Sequence, residues 1–155
     1  MTPEHLPQVK HIIDSNQMFP SDMLKDMTAP FLNQESLEFW CVVSDFKSKK
    51  KSNPDILAVA YCAPEMMTDN TWNLLLIAVS KTHQGAGIGG QLITHMETEV
   101  KQRSGRILLV ETSGTSDFEL TRKFYPKCGY LKVARIPEFY TKGDDKIVFW
   151  KKLTD

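Results

Sequence analysis

The chain carries no excess of charge: Lys+Arg and Asp+Glu are both 19 in 155 residues, a formal net charge of zero. That absence argues against a strongly basic nucleic-acid binder and offers nothing to a polyanion. Long apolar runs are also missing. Stretches such as Leu74–Val79 fall far below the ~18 residues that span a bilayer. The opening MTPEHLPQVK has no apolar core, so no secretory signal is read there. Cys41, Cys62 and Cys128 are widely spaced, odd in number and without a CxxC pair. This points to reduced thiols in a cytoplasm rather than a disulfide frame. No internal repeat or low-complexity tract is found, and no His/Cys/Asp/Glu spacing suggests a metal site. With 41% hydrophobic and 25% charged residues, what is left is an ordinary globular composition, read as one domain over 1–155.

Local signals then order the chain. Thr2 as N-cap, Pro3 at N1 and Glu4 predict a first helix with Leu6, Val9, Ile12 and Ile13 on one face. A second helix is expected from Ser21, with Met23, Leu24 and Met27 on one face and Pro30 interrupting it. Residues 39–43 and 56–62 read as strands, joined by a turn-rich segment carrying the lysine run Lys47–Lys51, a solvated tip. Trp72–Val79 is near-continuously apolar, as in a strand covered on both faces. Ser80–Gly90 forms a loop, and a helix with Ile88, Leu92, Ile93, Met96 and Val100 on its buried face follows. A strand 107–111, a short helix 117–125, a strand through Val133 and a last strand 146–150 complete the order. The fold class is mixed α+β: a mostly antiparallel sheet flanked by helices, with one parallel βαβ unit.

The loop GAGIGG matches G-x-G-x-x-G at Gly85, Gly87 and Gly90, and Glu111 follows about 20 residues on, as in a dinucleotide-binding fingerprint. The polar spacer Ser80–Gln84 argues against it, because that fold places its first glycine directly off the strand. The phosphate-loop pattern fails because no Lys-Ser or Lys-Thr pair follows.

Strand 76–79, the spacer and Gln84-Gly85-Ala86-Gly87-Ile88-Gly89 resemble motif A of the GNAT superfamily of acetyl-coenzyme-A-dependent N-acyltransferases. Thr121-Arg122-Lys123-Phe124-Tyr125-Pro126-Lys127-Cys128-Gly129-Tyr130 resembles that family's A-x-x-L/F-Y-x-x-x-G-F/Y segment, with Thr121 in the small-residue place. The resemblance covers about Leu74 to the C-terminus. It departs in two places. The strand that usually precedes the first helix is absent or the chain is shortened, and the Asn usually seven residues before the motif tyrosine is Phe118.

The resemblance implies a GNAT-like sheet whose βαβ unit carries a pyrophosphate loop made of Gln84, Gly85, Ala86, Gly87, Ile88, Gly89 and Gly90. A helix N-terminus supplies unpaired N–H groups and a positive dipole end for such an anion. It further implies main-chain contacts from Ile77, Ala78 and Val79 to pantetheine, the Val79 N–H as oxyanion donor, and Tyr125 as the acid for the leaving thiolate. Glu111 is a candidate base, directly or through water, or an amine-binding group; an ion pair with Arg122 or Arg135 is the structural alternative. Tyr125 as a packed ring is likewise the alternative to its catalytic role. Glu138 and Tyr140, with Asp144 and Asp145, could receive a cationic amine or simply form a polar turn. His83 is read as a surface residue and Cys128 as core packing.

The expected activity is transfer of acetyl from acetyl-coenzyme A to a primary amine of a small molecule or peptide, in a ternary complex. The partners would be those two substrates, with no nucleic acid and no membrane, and a homodimer stays open. Competing readings are an acyl-coenzyme-A sensor without catalysis and, third, a dinucleotide oxidoreductase.

Overall fold

The Thr2–Pro3 start works as the sequence predicts, with one refinement. A 3-10 turn, Pro3–His5, precedes helix α1, Leu6–Asn16. Thr2 is extended, its N–H donates to His5 Nδ1 at 3.1 Å, and its carbonyl accepts the His5 N–H at 3.1 Å. The computed structural model describes residues 1–45 and 54–154. The lysine run Lys47–Lys51 lies outside the described residues.

Helix α2, Leu24–Leu32, follows a 3-10 turn at Ser21–Met23. Contrary to expectation, Pro30 lies inside α2. The reason is its place in the last turn, where the missing N–H forfeits one i→i−4 bond and nothing further along depends on it. The end is then closed by Asn33 N–H to the Ala29 carbonyl (2.9 Å) and Glu35 N–H to that of Pro30 (2.8 Å). Met23 is exposed, so the apolar face consists of buried Leu24 and half-buried Met27.

Among the described residues six strands form one sheet: β1 (Phe39–Asp45), β2 (Asp55–Pro64), β3 (Thr71–Val79), β4 (Ile107–Ser113), β5 (Leu131–Thr141) and β6 (Asp144–Lys152). Their order is β1-β2-β3-β4-β6-β5. β3 and β4 are parallel, from Thr71↔Ile107 to Leu74↔Val110, and are joined by helix α3, Ile88–Gln102. β1–β2, β4–β6 and β5–β6 are antiparallel. Helix α4, Glu119–Lys127, lies between β4 and β5 in the chain. This is the mixed, mostly antiparallel sheet with one βαβ unit.

Three strand expectations are revised. β4 runs two residues past Glu111, so Glu111 lies within the strand. β5 continues through Pro137 to Thr141, and the turn is at Lys142 and Gly143 rather than across 137–146. Pro137 is tolerated because β5 is an edge strand, where a missing N–H breaks no inner ladder, and because the β5–β6 register shifts between Ile136 and Thr141. Finally, β3 is not covered on both faces along its whole length. Leu74, Leu76 and Ala78 are buried, but Leu75 is 49% exposed and Ile77 and Val79 are half-buried.

Two compact units divide the residues: Met1–Ala63 with Leu76–Met96, and Pro64–Leu75 with Glu97–Asp155. In the first, α1 and α2 bury Val9, Ile12, Ile13 and Leu24 with Trp40, Val59, Tyr61, Leu76 and Ala78. Trp40 stacks on Tyr61 with ring centroids 4.3 Å apart. In the second, Tyr125 meets Phe149 at 5.1 Å and Tyr130 at 5.9 Å, beside buried Leu108, Val110 and Ile147.

Candidate functional site

The loop after β3 is built by glycine and a polar clamp. Ser80 N–H donates to the Leu57 carbonyl at 2.8 Å, and a 3-10 turn Lys81–His83 leads to an extended Gln84. Gly85 and Gly87 both have φ of +80°, which a side chain strongly disfavours, and a Cβ at either would meet nothing within 4 Å. The backbone is therefore shaped for glycine while its outer side stays open. The Gln91 N–H reaches the Gly87 carbonyl at 3.1 Å in the first turn of α3. The N–H groups of Ile88, Gly89 and Gly90 precede that bond and have no intrahelical acceptor, at the positive end of a 15-residue helix. Open backbone donors at a dipole end suit an anion such as a pyrophosphate.

The clamp involves a residue that no motif flagged. Gln84 Nε2 donates to Asn16 Oδ1 (3.0 Å) and to the Val79 carbonyl (3.2 Å). Asn16 Nδ2 donates to that same carbonyl (3.2 Å) and to Ile12 O (2.8 Å). Gln84 thus spends its amide donors on fixing the end of β3. The available signal was Asn16 at the C-terminus of α1, before a left-handed Gln17. His83 is exposed, with Nδ1 2.9 Å from Thr82 Oγ1.

Glu111 has an ion-pair partner other than the two arginines expected. Its Oε2 lies 2.6 Å from Nζ of Lys146. Register explains this: Glu111 opposes Val148 across the β4–β6 ladder, so Lys146 is its diagonal neighbour on the same face. Arg122 instead donates to the Ser113 (2.8 Å) and Thr115 (2.6 Å) carbonyls, and Arg135 pairs with Asp145. The Lys146 side chain is 11% exposed and that of Glu111 24%. The Phe139 ring covers the ammonium, its centroid 3.5 Å from Nζ, and the Tyr140 ring lies at 6.0 Å.

The acidic residues of this hairpin are largely engaged. Asp144 Oδ1 accepts from Ser113 Oγ (2.6 Å) and Gly114 N–H (3.2 Å). Asp145 accepts from the Glu138 N–H (2.8 Å) and from Arg135, and these bonds hold its carboxyl below the usual range. Glu138 has φ of +50° and its Oε1 accepts from the Gly143 N–H at 3.2 Å. Burial pushes the Tyr140 phenol upward, and the charges of Glu111 and Asp144 add to it.

Tyr125 sits in α4, 3% exposed, its ring against Phe124, Tyr130 and Phe149. Burial raises its phenol above the ordinary range, so it stays protonated. Burial also raises the Cys128 thiol, with Glu97 adding and Lys151 opposing, so this cysteine is half-buried and not activated. Tyr130 OH and Lys151 Nζ both bind Glu97, at 3.0 and 2.8 Å. Among the described residues no group of three His, Cys, Asp or Glu could hold a metal, and no helix is long and apolar enough to cross a membrane.

The model of the acetyltransferase (GNAT) domain family matches residues 38–132, more than half of the chain. A GNAT-family protein from Desulfovibrio desulfuricans has a similar structure, with a TM-score of 0.84 and 26% identity over 98% of this chain and 94% of that one. An aminoglycoside 6'-N-acetyltransferase complexed with coenzyme A gives 0.77 at 16% identity, over 99% and 93%. The ribosomal-protein-S18-alanine N-acetyltransferase of Escherichia coli gives 0.75 at 16% identity, over 100% and 92%. No curated protein matches the chain.

Proposed function

The chain belongs to the GNAT acetyltransferase family, and from that premise we propose that it moves an acetyl group from acetyl-coenzyme A to a primary amine by direct attack in a ternary complex. The observation that carries this is the open loop at the start of α3, with Gly85 and Gly87 at φ +80° and free space on their outer side. Its N–H groups suit the coenzyme's pyrophosphate. Main-chain groups of Ile77, Ala78 and Val79 would take pantetheine, with Gln84 and Asn16 fixing the Val79 carbonyl behind them. The coenzyme supplies an activated thioester.

The remaining steps are assigned to side chains of this protein. An alkyl ammonium, with pKa about 10.4, must lose a proton before its nitrogen can attack. Glu111 receives that amine and, directly or through water, takes this first proton and passes it to solvent. Nitrogen then bonds to the thioester carbonyl carbon, the Val79 N–H steadies the oxyanion, the C–S bond breaks, and Tyr125 protonates the thiolate. The second proton lost by nitrogen returns to Tyr125, so the first is the one proton released to solvent in each turnover. We take residues 1–155 as one such domain and, from the reduced thiols, as cytoplasmic.

Titration calorimetry with acetyl-coenzyme A tests the donor. Binding is expected, weakened about tenfold in Gly87→Ala, where a side chain at positive φ costs roughly 1–2 kcal/mol. No heat at millimolar coenzyme overturns the proposal. Binding without thiol release across a broad amine panel would favour a sensor.

A further inference from the structure

Lys146 is a buried ammonium on β6, and among the described residues its one charged partner is Glu111. Phe139 closes one side of it, at 3.5 Å from ring centroid to Nζ. An ammonium has three N–H donors, so the pair leaves donor capacity on Lys146 and, on the 24%-exposed Glu111, a second carboxylate oxygen. Side by side, then, stand one fixed positive and one fixed negative group. Of the hairpin's two aspartates, Asp145 is paired with Arg135, whereas Asp144 is held by the neutral donors Ser113 Oγ and Gly114 N–H and keeps its charge.

We propose that the Glu111–Lys146 pair is a template for a zwitterionic acceptor, an amine with a carboxylate on the neighbouring carbon, as in a free α-amino acid. Its ammonium meets Glu111 and its carboxylate meets Lys146, so the four charges alternate. The inference rests on the reading that Glu111 receives the acceptor amine. The discrimination is electrostatic: a simple amine gains at Glu111 and loses at Lys146, a polycation loses more, and a zwitterion gains at both. Exposed Tyr140 beside the pair offers an aromatic surface to the acceptor's side chain.

Matched acceptors test this: leucine against isoamylamine, phenylalanine against phenethylamine, histidine against histamine, the other amino acids, and kanamycin. Each is assayed by thiol release with acetyl-coenzyme A and by calorimetry on the full chain with coenzyme A present. The expected result is at least one amino acid whose kcat/KM exceeds that of its matched amine about tenfold or more. Lys146→Met should bring that ratio near one, and Lys146→Arg should keep it. If Lys146→Met does not fold, the wild-type ratio and Lys146→Arg still decide. An equal or better amine, a preference for kanamycin, or a ratio unmoved in Lys146→Met overturns the inference while leaving acetyl transfer intact. Amino-acid binding that depends on Lys146 but gives no thiol release supports the template and overturns the transferase reading. Neither binding nor release overturns both.

Discussion

At the scale of single residues, Tyr125 separates a packing role from a chemical one. Its ring fills a cluster with Phe124, Tyr130 and Phe149, and Phe would fill it equally well. Tyr125→Phe should therefore fold normally and bind acetyl-coenzyme A as tightly as wild type. Turnover should fall about 100-fold or more, the usual contribution of a positioned proton donor. Steady-state kinetics with calorimetry checks both halves, and unchanged turnover removes Tyr125 as the acid. Because burial raises the phenol, this residue should add no limb to the pH–rate profile near neutrality. Tyr125 and Glu111 were legible as residue types in a motif and at a strand. Lys146 was not, since its meeting with Glu111 depends on the β4–β6 register, which spacing does not encode. Asn16 escaped for the same reason: its partner Gln84 is 68 residues away.

At the scale of elements, local signals placed each α-helix and strand of the described residues, and two of the misread boundaries involve proline. Pro30 sits in a last helical turn and Pro137 on an edge strand, two places where a missing N–H costs little. Read locally, each looks like a terminator. The β5–β6 hairpin compensates for its register shift with side chains, and Asp145 is the main one, holding Arg135 and the Glu138 N–H. These bonds depress its folded-state pKa below the unfolded value of about 3.9. Its contribution is therefore present above that pH and fades as pH falls through the folded pKa. Asp145→Asn should lower Tm at pH 7, and the gap from wild type should close below about pH 4. Thermal melts across that range check it; a constant gap would mean that shape, not charge, matters at this site.

At the scale of the whole molecule, the mixed sheet and its βαβ unit were legible from the order of elements, whereas the division into two compact units was not. Contacts define those units, and β3 and α3 contribute residues to both. The three tryptophans are shared unequally: Trp40 belongs to the first unit, Trp72 and Trp150 to the second. Trp40 is 1% exposed, stacked on Tyr61, and its buried Nε1 has no hydrogen-bond partner among the described residues. An indole shielded from water and without a hydrogen bond at its nitrogen should emit at the blue end of the tryptophan range. In a Trp72→Phe/Trp150→Phe background its red shift in urea then reports the first unit alone, and circular dichroism reports the whole chain. Coincident midpoints mean that 1–155 unfolds as one cooperative domain, and separated midpoints mean that the two units melt in turn. One stacked indole thereby becomes an optical probe of cooperativity.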